Sequence, residues 1–375
     1  MADHIPKAGV GQTDWGLGSP QFANGPDRNV GIRGRSCRTG RNGTQFGVVS
    51  SPEKSASGSL PAIAQRIPAS FFAIVMGLGG LGHAWRTAGR TYPVLAPFGE
   101  ALVLLAAVLW MLLASAYIAK WASAPAATRS EWTHPVQGAF VAIIPASLLL
   151  LLPALEPRIG VTGPALFFLL ACVQVVVTAA ILARWISGRT EPATLTPAWH
   201  LAAVAGHLFA AGAAAAFGYK LTGWCLFGAG IVTWIIIDSI VLHRLATHEP
   251  LAPALRPLIA VELVPPAVAL IVYFALGDAE ADAIALGLFG WGLFVAVVLA
   301  ILWRWLCEAP FGPAYWAFAL PVAALSVAAW RIAHATAAEP ALSFALALFL
   351  AANALIGFIA LRTVTALARG RFLPR

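Results

Sequence analysis

Five basic residues, Lys120, Arg184, Arg244, Arg304 and Arg362, stand 64, 60, 60 and 58 positions apart, and each closes a long apolar run. A second apolar run lies between successive members of the series. The unit is two hydrophobic helices followed by a charge that returns to the same side of a membrane. A fixed period of this kind marks internal duplication, and in a membrane protein it places equivalent elements about a common axis. The expected fold is all-α and integral to the membrane, with ten transmembrane helices as five helical hairpins around a central pore.

The uncharged stretches run 67–85, 101–119, 132–155, 159–183, 192–219, 221–237, 263–277, 283–303, 309–330 and 340–361. Most reach the roughly 20 residues a helix needs to cross a bilayer, where lipid offers no partner for an unpaired backbone group. Two are short, at 17 and 15 residues, and each is extended by one acid, Asp238 or Glu262. With 11% of residues charged and 59% hydrophobic, a chain of 375 residues could not stay in solution as a soluble domain.

Residues 1–60 are a different material, rich in Gly, Ser, Asn and Arg and without an apolar run. They read as a disordered basic cytoplasmic tail, ahead of a membrane domain at 67–365 and a short basic cytoplasmic tail at 366–375. Outside the first tail, the loops after even-numbered helices and the C-terminus carry eleven Lys and Arg, against five on the other side. The positive-inside rule then places both termini in the cytoplasm of a multi-pass inner-membrane protein. The net charge of +8 is accounted for by topology and the tail, so no nucleic-acid partner is expected.

Odd and even helices differ in chemistry. Pro145, Pro265, Pro266 and Pro321, with the glycines at 77, 79, 80 and 82, fall in odd-numbered spans. Proline in a spanning helix frees carbonyls and bends the axis, which is tolerable only where protein or a watery cavity covers the backbone. The odd helices are therefore expected inside and the smoother even helices against lipid. Ionisable groups at membrane depth are functional candidates by default. Glu262, three residues before Pro265, is one; Asp238 and His207, with His200 seven residues earlier on nearly the same face, are the others. Each either links transport to protons or is held by a structural hydrogen bond. Gln174 and Asn353 read as interhelical hydrogen-bonding groups.

Other classes find little support. The histidines form no HExxH, HxxxH or Ser-His-Asp arrangement, so no enzyme is expected. Cys37, Cys172, Cys225 and Cys307 are isolated, which indicates neither a disulfide framework nor a metal site. No cofactor is implied, and no Walker-type motif supports ATP-driven transport.

Several short motifs carry a resemblance. The segment from Phe71 to Arg86, FFAIVMGLGGLGHAWR, is followed in order by His134-Pro135, Thr196-Pro197-Ala198-Trp199, Val241-Leu242-His243-Arg244-Leu245, Pro265-Pro266 and Tyr315-Trp316-Ala317-Phe318-Ala319-Leu320-Pro321. Over about 67–365 the chain resembles the slow-type anion channel, tellurite-resistance and C4-dicarboxylate transporter family. The resemblance implies a homotrimer with one pore per subunit, lined by the odd-numbered helices. It implies passage of small anions such as chloride or nitrate, or of malate-type dicarboxylates or tellurite. The alternative is a proton-coupled dicarboxylate or oxyanion carrier using Glu262 or His207. The family's pore-plugging phenylalanine falls here on Leu320, a smaller side chain without an aromatic edge to offer an anion. Should Leu320 not form the constriction, Phe318, Phe71 and Phe72 are the next gate candidates. Since the odd helices carry no Lys or Arg away from their ends, anions must be drawn in by mouth residues such as Arg86, Arg244 and Arg331 and by helix dipoles.

Overall fold

The computed structural model describes residues 67–134, 136–188, 194–277 and 280–372. The tail expected at 1–60 and Pro135 lie outside the described residues. The described chain is an all-α, multi-span membrane fold in which eight stretches are long and apolar enough to cross a bilayer. Its long helices are α1 (Phe72–Ala88), α2 (Ala96–Ser123), α3 (Ile143–Ile159), α4 (Gly163–Ile186), α5 (Gly206–Ala216), α6 (Lys220–Thr247), α7 (Val264–Leu276), α8 (Ala283–Leu306), α9 (Ala319–Thr336) and α10 (Glu339–Ala368). One of the eight stretches, Gln137–Ile186, holds both α3 and α4 and turns at Gly160, whose φ of +48° suits a residue without Cβ. The 17-residue α1 is not among the eight.

Burial divides the helices into two sets. The apolar windows of the spans containing α5, α7 and α9 are 89%, 83% and 89% buried, whereas those containing α2, α6, α8 and α10 are 17% to 28% buried. The inner set closes on itself, with α1 packed on α3, α3 on α5, α5 on α7, α7 on α9 and α9 on α1. Each inner helix also packs on the outer helix that follows it in sequence. The outer faces present large apolar side chains such as Leu105, Val176, Ile235 and Ile301, which suits hydrocarbon and would be costly in water.

Every inner helix has a lead-in that is not a continuation of its own α-helix. A 3-10 turn, Ala69–Phe71, precedes α1; a single turn, Gln137–Val141, precedes α3; Ala198–His200 and a π-turn at Leu201–Ala205 precede α5; 3-10 segments Pro253–Leu263 and Pro313–Phe318 precede α7 and α9. The prolines expected as bends sit at these junctions. Pro145, Pro265, Pro266 and Pro321 all occupy the first turn of an α-helix. There the missing N–H costs nothing, because first-turn N–H groups have no intrahelical acceptor.

The π-turn is underwritten from α4. Widening a helix to i→i+5 bonding disturbs the local ladder, and the Ala202 carbonyl accepts from Gln174 Nε2 at 3.0 Å and from Thr178 Oγ1 at 3.1 Å. His207 donates through Nδ1 to the next carbonyl, Ala203, at 2.7 Å. A Cβ at Gly206 would collide with the Gln174 amide, so this junction requires glycine. Replacing the fully buried Gln174 by leucine removes one of two donors to Ala202. We expect it to cost about 1–2 kcal/mol, read as a lower midpoint of thermal unfolding in detergent, with Gln174→Leu/Thr178→Val costing more than either single change.

The basic series appears in the fold. Lys120, Arg184, Arg244 and Arg304 stand in the last turns of α2, α4, α6 and α8, and Arg362 lies in α10. Lys120 is also paired. Its Nζ lies 2.7 Å from Glu131 Oε2, with both side chains 8% exposed, and donates to the Ile67 carbonyl at 3.2 Å. Glu131 Oε1 accepts from the backbone N–H of Ala69 at 2.7 Å, so one carboxylate joins the end of α2 to the lead-in of α1.

Candidate functional site

Within the inner ring lies a cavity of about 130 Å³ to which α1, α3, α5, α7 and α9 all contribute and no outer helix does. Helical periodicity selects its walls. On α9 the lining residues Leu320, Ala324, Val327 and Arg331 recur every three or four positions, as do Gly80, His83 and Thr87 on α1, so each set is one face of a helix. Leu320 and Arg331 are separated by about 16 Å of helix rise. Leu149, Leu150 and Pro153 from α3, Phe209 and Gly212 from α5, and Val268, Ile271, Val272 and Ala275 from α7 complete an apolar wall.

Polar chemistry in this cavity is sparse. His83 donates through Nε2 to the Leu150 carbonyl at 2.9 Å, and the Thr87 hydroxyl donates back to the His83 carbonyl at 2.8 Å. Arg331 is the one fixed cation among the lining residues, and its Nε is buried without a hydrogen-bond partner. A cation set in low-dielectric walls projects a stronger potential into the cavity than one in water. Near the Thr87 end of α1, Glu100 bridges two further arginines, with Arg86 Nε 2.6 Å from Oε1 and Arg158 Nη2 2.8 Å from Oε2.

Of the gate candidates, Leu320 lines the cavity and is 4% exposed, its Cδ1 packed over Gly80. The three phenylalanines are not among the lining residues. Phe318 belongs to the 3-10 lead-in of α9 and turns its ring to Trp303 at 5.3 Å and Tyr315 at 6.2 Å. Phe72 meets Trp110 at 6.3 Å, and Phe71 meets Phe372 at 5.3 Å.

Nor do the proton-linked candidates line that cavity. Glu262 and Asp238 line a second, lateral cavity of about 520 Å³, walled by apolar residues of α6, α8 and the lead-in of α7. There they meet His200, whose Nε2 lies 3.5 Å from Asp238 Oδ1 and 3.6 Å from Glu262 Oε2. His207 instead serves the π-turn. Spacings of 38 and 24 residues match no motif, so the grouping of His200, Asp238 and Glu262 was invisible in the sequence. His83 and Thr87 were also missed as lining residues. Their three- and four-residue offsets from Gly80 were the available signal.

A family model described as voltage-dependent anion channel matches residues 66–364 of this chain. The chain is 28% identical over 316 residues to the tellurite resistance protein TehA homolog of Haemophilus influenzae, covering 82% of this chain and 92% of that one. It is 24% identical over 314 residues to the S-type anion channel SLAH3 of Arabidopsis thaliana, covering 80% of this chain and 48% of the plant protein. With the guard cell S-type anion channel SLAC1 of the same plant it shares 23% identity over 303 residues, covering 78% and 54% respectively. The chain thus spans about half the length of these two plant relatives.

Proposed function

The chain belongs to the voltage-dependent anion channel family, and from that premise we propose that it passes small monovalent anions through the cavity enclosed by α1, α3, α5, α7 and α9. Membership makes it a multi-pass membrane channel or transporter for anions, and not an enzyme. The observation that carries the finer reading is the central cavity itself, largely apolar, with Leu320 and Arg331 on the face that α9 presents to it. Arg331 supplies one positive charge to the lining, which a chloride-like or nitrate-like ion balances and a dicarboxylate overbalances. A weak and localised attraction of this kind favours conduction over tight binding.

The architecture we propose counts ten spans as five hairpins, adding α1 to the eight apolar stretches and dividing Gln137–Ile186 at Gly160. The excess of Lys and Arg at the ends of the even helices supports cytoplasmic termini. The resemblance to slow-type anion channels supports a homotrimer with one pore per subunit. A second reading, a proton-coupled dicarboxylate or oxyanion carrier, draws on His200, Asp238 and Glu262. Because Asp238 and Glu262 line the lateral cavity rather than the central one, the channel reading is favoured.

Reconstitution in liposomes with anion-substitution reversal potentials tests this reading. Chloride and nitrate should each set the potential close to its Nernst value at every pH, with malate contributing little. A reversal that follows an imposed proton gradient would instead identify the carrier, and dominant malate flux would remove the argument from Arg331.

A further inference from the structure

Three side chains that the pore does not use converge on one point. His200 closes the helix Ala198–His200, Asp238 comes from α6, and Glu262 from the lead-in of α7. One ligand-type atom from each lies within 4.8 Å of the other two. His200 is fully buried, and Glu262 is 8% exposed.

The two separations from His200 are long for hydrogen bonds and fit a shared ion. An N–H···O bond spans about 2.7–3.2 Å, whereas His200 Nε2 stands 3.5 and 3.6 Å from its two carboxylates. Ligands bound at about 2.0–2.2 Å around a tetrahedral zinc ion lie roughly 3.3–3.6 Å from one another. The polarity of the atoms agrees. His200 Nδ1 contacts the Pro197 carbonyl at 3.3 Å, and a carbonyl can only accept, so Nδ1 carries a proton and Nε2 is the nitrogen left facing the carboxylates. A backbone carbonyl holding the far nitrogen is the usual outer support of a metal-bound histidine. Glu262 Oε1 and Oε2 and His200 Nε2 are all buried without a hydrogen-bond partner. Three ligand-type atoms without a hydrogen-bond partner are therefore buried side by side.

Charge makes the same demand. Two carboxylates at membrane depth are costly unless balanced, and a divalent cation neutralises both at once, whereas one imidazolium would leave a net negative charge. The lateral cavity, with Asp238 and Glu262 in its wall, gives such an ion a way in. One imidazole and two carboxylates suit a borderline cation better than the harder magnesium or calcium.

We propose that His200 Nε2, Asp238 Oδ1 and Glu262 Oε2 bind a divalent transition-metal ion of the zinc class. The ion fastens α6 to the lead-ins of α5 and α7 and is a structural or regulatory clamp outside the anion path. This assignment is independent of the pore reading, because its test measures no flux.

The full-length protein, purified with a histidine-free tag and stripped with chelator, is titrated with Zn²⁺ in detergent, and bound zinc and thermal midpoint are read together. We expect about one zinc per chain, retained against millimolar Mg²⁺, and a midpoint raised by several degrees through binding to the folded state alone. Glu262→Gln and Asp238→Asn should each weaken zinc binding at least about tenfold, whereas His207→Gln and Cys37→Ser should leave it unchanged. Asp238 is only partly buried and its asparagine is isosteric, so Asp238→Asn decides the matter should Glu262→Gln fail to fold. No retained zinc, or equal retention by wild type and both carboxamide variants, would overturn the site and leave a proton-sharing cluster in its place.

Discussion

Replacing Leu320 by alanine should raise the basal anion current of the reconstituted protein roughly tenfold, and replacing it by phenylalanine should lower the current by a similar factor. A tenfold change corresponds to about 1.4 kcal/mol in the barrier to permeation, a modest demand for resizing an apolar constriction that opposes entry of a hydrated ion. Leu320 meets that description, since it lines the central cavity, is 4% exposed and rests on Gly80. Alanine leaves the Gly80 face uncovered and widens the passage, whereas a phenyl ring is bulkier than leucine beside the closely packed Gly80 and should narrow it. Core truncations of this type cost about 2–5 kcal/mol of stability, so currents are compared per folded, inserted protein, counted by size-exclusion profile before reconstitution. If both variants conduct like the wild type, Leu320 is not the constriction.

The second large effect is on stability. Glu131→Ala should destabilise the protein by about 3–5 kcal/mol, because it strands Lys120 as a buried charge. It also removes the acceptor of the Ala69 N–H. Thermal unfolding in detergent measures the loss. Lys120→Met/Glu131→Gln should recover much of it, since the double change removes both charges and leaves an amide oxygen for Ala69. A loss below about 1 kcal/mol for Glu131→Ala would place the pair in the class of solvated surface bridges.

How much of this could be read from the chain follows from the kind of signal each feature leaves. The series from Lys120 to Arg362 works as a ruler because four of its members close successive long helices, and the contrast between runs broken by Gly or Pro and smooth runs separated the helices packed inside from those outside. Pro265 and Pro321 were harder. A proline in an apolar run looks like a bend within one helix, whereas here each opens a new helix after a 3-10 lead-in, and hydropathy cannot tell the two apart. Pairing was less legible still. Lys120 counted as a topology charge, yet it is held by Glu131, and His200, Asp238 and Glu262 meet from segments far apart in sequence. Leu320 was singled out only through the register of a neighbouring motif, since no local property separates it from Leu325, the other leucine of α9.

The contrast between buried inner and lipid-facing outer helices also bears on how the chain is made. The spans ending in α5 and α9 are less apolar than the outer spans, since their alanines, glycines and ring-facing polar groups are chosen to meet protein. During synthesis that protein is not yet there. A ribosome-bound chain presents each weak segment to the insertion machinery alone, and partition into lipid at that moment depends on summed apolarity. The strongly apolar segment that follows immediately, α6 after α5 and α10 after α9, packs directly against it. Insertion of the α5 and α9 segments is therefore expected to lean on α6 and α10, the more apolar partners that emerge next.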